Sequence, residues 1–184
     1  MLQDYRLPEL ENFINKILNP IQNNGIDLTQ CYRRFHAVVY YFEYAVGEVH
    51  SQETALQDIN TEREENAMIC GNAIAAYIFM HNCFVLLEYA INGITKTREL
   101  SSEIKKIKKS YKFFKNRLKE IRHSIGAHPE GIKSHTDIAT KRSMICSDGK
   151  IKIGKFILHP RKDLEELRKY LEKIGKLLYE KWSV

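Results

Sequence analysis

The chain has 184 residues, 43% hydrophobic and 28% charged, the balance of a globular protein long enough to bury a core of its own. Its four cysteines, Cys31, Cys70, Cys83 and Cys146, stand far apart with no CxxC pair, which argues against a zinc ribbon or a disulfide framework and for buried free thiols in a reducing compartment. The net charge of +6 hides an asymmetry: residues 1–94 carry 5 Lys/Arg against 12 Asp/Glu and residues 95–184 carry 24 against 11, which suits a polyanionic partner, or an acidic half facing a basic half within an assembly.

The opening MLQDYRLPEL has no apolar segment preceded by positive charge, so no secretory signal is expected and the chain reads as cytoplasmic. A first helix is predicted from Pro8 to about Leu18, with Leu10, Phe13, Ile14, Ile17 and Ile21 inward and Asn19-Pro20 marking its end. Asp27 is a candidate N-cap for a second helix running toward His50, whose core spacing is Cys31, Phe35, Val38, Phe42, Ala45 and Val49. Tyr32, Tyr40, Tyr41 and Tyr44 add an aromatic belt that fits a core or dimer face better than a base-stacking platform, and His36 reads as a packed structural histidine. The acidic stretch from Ser51 to Glu65 either extends this helix or connects it to the next.

From Ala67 to Ile94 the pattern is apolar almost all round, the mark of a central bundle helix or one buried at a subunit contact. Asn72, His81, Asn82, Glu88 and Asn92 interrupt it too often for a bilayer span, so no membrane is expected. His81-Asn82 reads as ordinary buried hydrogen bonding; the alternative is that it reaches a functional site from below. A turn over Thr95–Ser102 leads into the next helix, with Ser101 or Ser102 as its cap.

Ile104, Ile107, Tyr111, Phe114, Leu118, Ile121 and Ile125 then alternate by three and four, which places all seven on one side of a helix. Lys108, Lys112, Lys115, Lys119 and Arg122 keep the same spacing on another face. This basic ridge ends at Arg122-His123, before Gly126 and Pro129 interrupt the helix with His128 between them. A solvated face is the plain reading of such a ridge. Its ending in an arginine and two histidines adds another: lysines attract a polyanion, and Arg122, His123 and His128 could act on it. Six residues apart, Arg122 and His128 lie about 240° apart on an unbroken helix, so they converge only if the chain turns at Gly126 or a second copy supplies one of them.

Residues 131–159 change texture to short apolar runs and turn residues, a loop or hairpin insertion. Asp148-Gly149 reads as a two-residue hairpin turn within residues 143–157, pairing Cys146 with Ile151 and Met144 with Ile153. Lys141, Arg142, Lys150, Lys152 and Lys155 make it basic, either to hold a substrate strand or to protect an exposed edge. A last helix from Pro160 to Trp182 buries Leu164, Leu167, Leu171, Ile174 and Leu178. The prediction is one all-α domain over residues 1–184, a helical bundle carrying a small β-hairpin.

The run Arg122-His123-Ser124-Ile125-Gly126-Ala127-His128 resembles the signature of the HEPN superfamily (higher eukaryote and prokaryote nucleotide-binding domains): Arg, a polar residue, four spacers, His. Ala127 before the histidine and the amphipathic helix before the arginine are also similar to that family, which most often has Asn or Asp where this chain has His123. The resemblance implies a HEPN-like helical bundle and a metal-independent endoribonuclease without cofactor, a toxin or phage-defence protein acting as a homodimer with a composite site. It makes His128 the base and Arg122 the phosphate-binding group, and leaves His123 either to protonate the leaving 5′-oxygen or to orient the phosphate. RNA is the implied partner, held along Lys108, Lys112, Lys115 and Lys119, and an antitoxin protein is a further candidate. The alternative is a non-catalytic HEPN-type dimer that binds RNA, a nucleotide or a protein; in a third reading Arg122 only pairs with Glu120 or Glu130. No Walker loop, dinucleotide fingerprint, HExxH or G-x-S-x-G is present. His123, His128, His135 and Asp137 match no metal-site spacing, and the surrounding lysines disfavour a cation, so no metal is expected.

Overall fold

Apolar residues spaced by three and four make helices, and six lie among the residues that the computed structural model describes, 5–24, 28–57, 63–94, 98–123, 143–145, 150–153 and 156–183. They are α1 (Pro8–Asn24), α2 (Thr29–Gln57), α3 (Arg63–Asn92), α4 (Arg98–Ser110), α5 (Lys112–Ile121) and α6 (Pro160–Lys181), with strands β1 (Ser143–Ile145), β2 (Ile151–Ile153) and β3 (Phe156–Leu158) before α6. The expected all-α bundle with a small β element is the fold observed. Asp27, Ile125, Cys146 and the Asp148-Gly149 turn lie outside the described residues.

The apolar α3 is the central element. It runs antiparallel to α2, with Cys31 beside Gly93, the Cys83 thiol donating to the Val38 carbonyl at 3.6 Å, and Arg34 donating to the Tyr89 carbonyl at 3.2 Å. Ile69–Asn92 is long and apolar enough to cross a bilayer by length and composition, and half of it is buried inside the protein. Tyr77, Met80, Phe84 and Leu87 of α3 join one core with residues from every other helix. At roughly 1.5–3 kcal/mol per buried side chain, this contact outweighs what any single helix gains from propensity. Cys31, Cys70 and Cys83 are free and buried, as expected.

α1 and α6 lie parallel and complete each other's ends. The Glu172 carboxylate accepts from the backbone N–H groups of Glu9 (3.3 Å) and Leu10 (3.4 Å), two of the donors a helix start leaves unpaired. Lys16 in turn donates to the carbonyls of Tyr179 (2.6 Å) and Trp182 (2.7 Å) where α6 finishes. Gly175 permits the approach, because a Cβ there would sit 2.5 Å from the backbone nitrogen of Leu10. α1 also passes through Pro20, where the sequence reading ends it. The proline forfeits one hydrogen bond, but Ile21 packs on the core one turn past Ile17 and keeps the last turn docked.

Three other expectations are corrected. The helix predicted as continuous from residue 104 begins at Arg98, so Ser101 and Ser102 are inside it and not its cap, and it breaks at Tyr111 (φ −101°, ψ 6°). The Ser110 hydroxyl donates to the Ile107 carbonyl at 2.8 Å, competing with the Tyr111 N–H, which reaches the same carbonyl at 3.3 Å. A side chain entering the hydrogen-bond ladder in this way bends a helix. The sheet has three antiparallel strands in the order β1-β2-β3, not two. Its register is also one residue from the predicted one: Met144 stands opposite Lys152, and Ile145 opposite Ile151. A two-residue connection would have paired Met144 with Ile153; the observed register needs one of odd length. Ile151, Ile153 and Leu158 turn to the core, while Lys152 and Ile157 face out.

A buried polar network fastens the sheet and α6 to α5. Asp163, 4% exposed, accepts from the Tyr77 hydroxyl and from Arg117 Nη1 (2.8 Å). Arg117 Nη2 reaches the Ile157 carbonyl (3.0 Å), and the His159 N–H donates to the Tyr77 oxygen (2.9 Å). Burial, then the Asp163 charge, raises the Tyr77 pKa well above its ordinary value, so the phenol remains a donor.

Candidate functional site

Of the seven apolar residues predicted for one face, Ile104, Tyr111, Phe114, Leu118 and Ile121 are buried and Ile107 partly so. This seats α4 and α5 against α3 and α6: Phe114 meets Phe84 edge-on at 5.7 Å, and Tyr111 meets Tyr170 at 4.9 Å. The lysine ridge follows on the flank, but not all of it is surface. Lys112 and Lys119 are exposed, whereas Lys108 and Lys115 are part-buried. Lys115 Nζ lies 2.5 Å from Glu88 of α3, with the two side chains 31% and 33% exposed.

That ion pair marks how the two helices, packed through Phe84 and Phe114, are aligned. Two turns back along α3 from Glu88, on the same face, is His81; two turns on along α5 from Lys115 is Arg122. Each step covers about 10 Å, so on antiparallel helices the imidazole and the guanidinium reach the same level. His81 is 4% exposed, and among the described residues its Nδ1 has no hydrogen-bond partner. Burial lowers its pKa to about 4, with Arg122, His123, Lys115 and Lys119 adding to the shift, so the ring is neutral at pH 7. An unpaired buried nitrogen costs about 1–3 kcal/mol. His81 lies beneath the basic ridge, near Arg122, His123, Lys115 and Lys119.

At the end of α5 Arg122 keeps helical torsions (φ −56°, ψ −47°), its N–H reaching the carbonyls of Leu118 and Lys119. Arg122 is part-buried and His123 exposed. His128 lies outside the described residues, as do His135, Asp137, Lys141, Arg142 and Lys155. Lys108, Lys112 and Lys115 line one cleft, and Lys115, Lys119, Arg122 and His123 lie near enough to His81 to act on its charge. Comparison of the chain with protein-family models, curated proteins and solved structures gives no match. Among the described residues no three His, Cys, Asp or Glu side chains are grouped to hold a metal ion.

Two contributors escaped the sequence reading. Glu88 stands in the sequence as one more polar interruption of an apolar helix, although an i+7 match to His81 marks it as facing the same way. Arg117, between the ridge and the buried face, carries no motif, and its role depends on Asp163, 46 residues away. The tyrosine belt is in part exposed: Tyr41 and Tyr44 pack on Phe79 at 5.9 and 5.4 Å, and His36 meets Tyr32 edge-on at 4.5 Å.

Proposed function

We propose that this chain is a metal-independent endoribonuclease of HEPN type, working in the cytoplasm as a homodimer and serving as a toxin or phage-defence protein held in check by an antitoxin. The observation that carries the reading is the lysine flank of α4 and α5 leading into Arg122 and His123, with the neutral His81 beneath. Lys108, Lys112, Lys115 and Lys119 track the phosphate backbone. Arg122 offers the charge that a phosphoryl group needs as negative charge gathers on its oxygens. His128 takes the proton from a 2′-OH, and that oxygen attacks the adjacent phosphorus. The 5′-oxygen leaves with a proton, so the ends are a 2′,3′-cyclic phosphate and a 5′-hydroxyl. His123 either supplies that proton or orients the phosphate.

The test is incubation of the purified protein with end-labelled RNA in excess EDTA. Cleavage to cyclic-phosphate ends by the wild type, lost in Arg122→Ala and in His128→Ala, is the expected result. RNA binding without cleavage would make it a binding module, and cleavage that persists in His128→Ala would overturn the assignment of the base.

A further inference from the structure

The bend at Tyr111 makes a concave place where a straight helix would offer a convex row. The cleft has a volume of about 340 Å³. Lys105, Lys108 and Lys109 of α4 and Lys112 and Lys115 of α5 surround it, with Glu88 as the carboxylate in its lining. Five lysines against one glutamate leave a surplus of four positive charges, and Lys115 already holds that glutamate. Lys108 is part-buried and has no ion pair among the described residues. Burial pulls its pKa down, Glu88 opposes this, and Lys115 adds to it. A cation held partly out of water without a counter-ion is a cost that a bound anion relieves.

We propose that this cleft is a binding site for a short polyphosphate chain, whose oxygens the lysine ammonium groups contact. Size and lining select that ligand. Pockets for drug-sized ligands span roughly 300–1,000 Å³, so this one is at the small end, with room for linked phosphates but not for a base and ribose besides. The aromatic rings in its lining are already packed: Tyr111 has Lys173 over its ring at 5.3 Å and Tyr170 against it, and Phe84 stacks on Tyr170 at 4.6 Å. Ammonium groups on flexible stems suit clustered oxygens of no fixed geometry. Occupancy would engage three of the four ridge lysines and displace RNA from that end of the ridge. The inference itself does not depend on RNA cleavage.

Titration calorimetry with inorganic tripolyphosphate at low ionic strength tests it. Expected are saturable 1:1 binding and a loss of about tenfold or more in Lys108→Gln/Lys112→Gln. The charge-matched control Lys162→Gln/Lys169→Gln, exposed on α6, should change affinity by no more than about twofold. Glu88→Gln removes the negative charge from the floor and frees Lys115, so it should tighten binding several-fold, which loss of structure cannot do. Should the double cleft variant fail to fold, that gain decides alone. ATP should bind about as well as tripolyphosphate, and AMP far more weakly. Absence of saturable binding, equal losses in cleft and control variants, weaker binding by Glu88→Gln, or a marked preference for ATP over tripolyphosphate would each overturn the proposal.

Discussion

Replacing His81 by Gln should remove about 2 kcal/mol of the stability that the protein loses between pH 7 and pH 5. The ring has an ordinary pKa of 6.5 in the unfolded chain and about 4 when buried beneath Arg122, His123, Lys115 and Lys119. Above pH 6.5 both states leave it neutral and it contributes no pH dependence. As pH falls from 6.5 toward 4, the unfolded chain takes a proton that the folded chain refuses, so stability drops by about 1.4 kcal/mol per unit. The whole window is worth about 3 kcal/mol, and the part above pH 5 about 2. Glutamine keeps a polar side chain and cannot titrate, while every other ionisable group is common to both proteins and cancels in the difference. Urea unfolding at pH 7 and pH 5 reads the effect: with a slope of about 2 kcal/mol per molar, the wild-type midpoint should fall by about 1 M more than that of the variant. Equal falls would refute the reasoning and place His81 where it protonates freely.

Three further outcomes follow from the geometry. Asp163→Ala strands the Arg117 guanidinium and the Tyr77 hydroxyl in a largely buried site, so it should cost about 3–5 kcal/mol and lower Tm by about 6–20 °C; a loss under about 1 kcal/mol would show that the network is slack. Gly175→Ala drives a methyl group into the α1 backbone at Leu10, with an overpacking cost of about 1–3 kcal/mol, read by the same thermal melt, whereas Gly47→Ala, with open space around it, should not lower Tm. Lys112→Gln/Lys119→Gln removes two exposed cations, so the salt dependence of RNA binding, log affinity against log salt, should flatten by about 1.4 if both contact single-stranded phosphates. An unchanged slope in fluorescence anisotropy would make that flank a solvated face.

Much of the fold was legible because the core is written in periodicity. The inward residues of α1, α2 and α6 and the apolar girth of α3 were read from spacing alone, and Pro160 and the lysine flank needed nothing more. The errors arise where one local interaction outvotes a pattern. The repeat through Ile107, Tyr111 and Phe114 predicts an unbroken helix, and nothing in it announces that Ser110 will take the Ile107 carbonyl. Pro20 reads as a stop unless the docking of Ile21 is known. The third strand had a signal, Gly154-Lys155 between two apolar runs, of the kind that joins strands by two residues. His81 beneath Arg122 could be raised but not chosen, because the alignment of α3 and α5 depends on contacts distant in sequence, such as Glu88 with Lys115, 27 residues apart.

The parallel pairing of α1 with α6 has a consequence for the newborn chain. Glu172 reaches the start of α1 across 163 residues, so α1 leaves the ribosome well before its partner α6 has been made. At about 5–20 residues per second, α1 waits roughly 8–30 s. The α2–α3 hairpin can close in that interval, since its contacts are nearer in sequence. Phe13 can meet Phe35 of α2 meanwhile, but Leu10 still lacks Gly175 and Phe13 lacks Trp182, leaving an apolar face of the kind chaperones hold. α5 also lacks its Arg117 anchor until Asp163 has been added. Synthesis must therefore pass through α6 before the basic flank is set in place, and a ribosome stalled short of that helix carries a chain whose proposed RNA-facing surface has not been assembled.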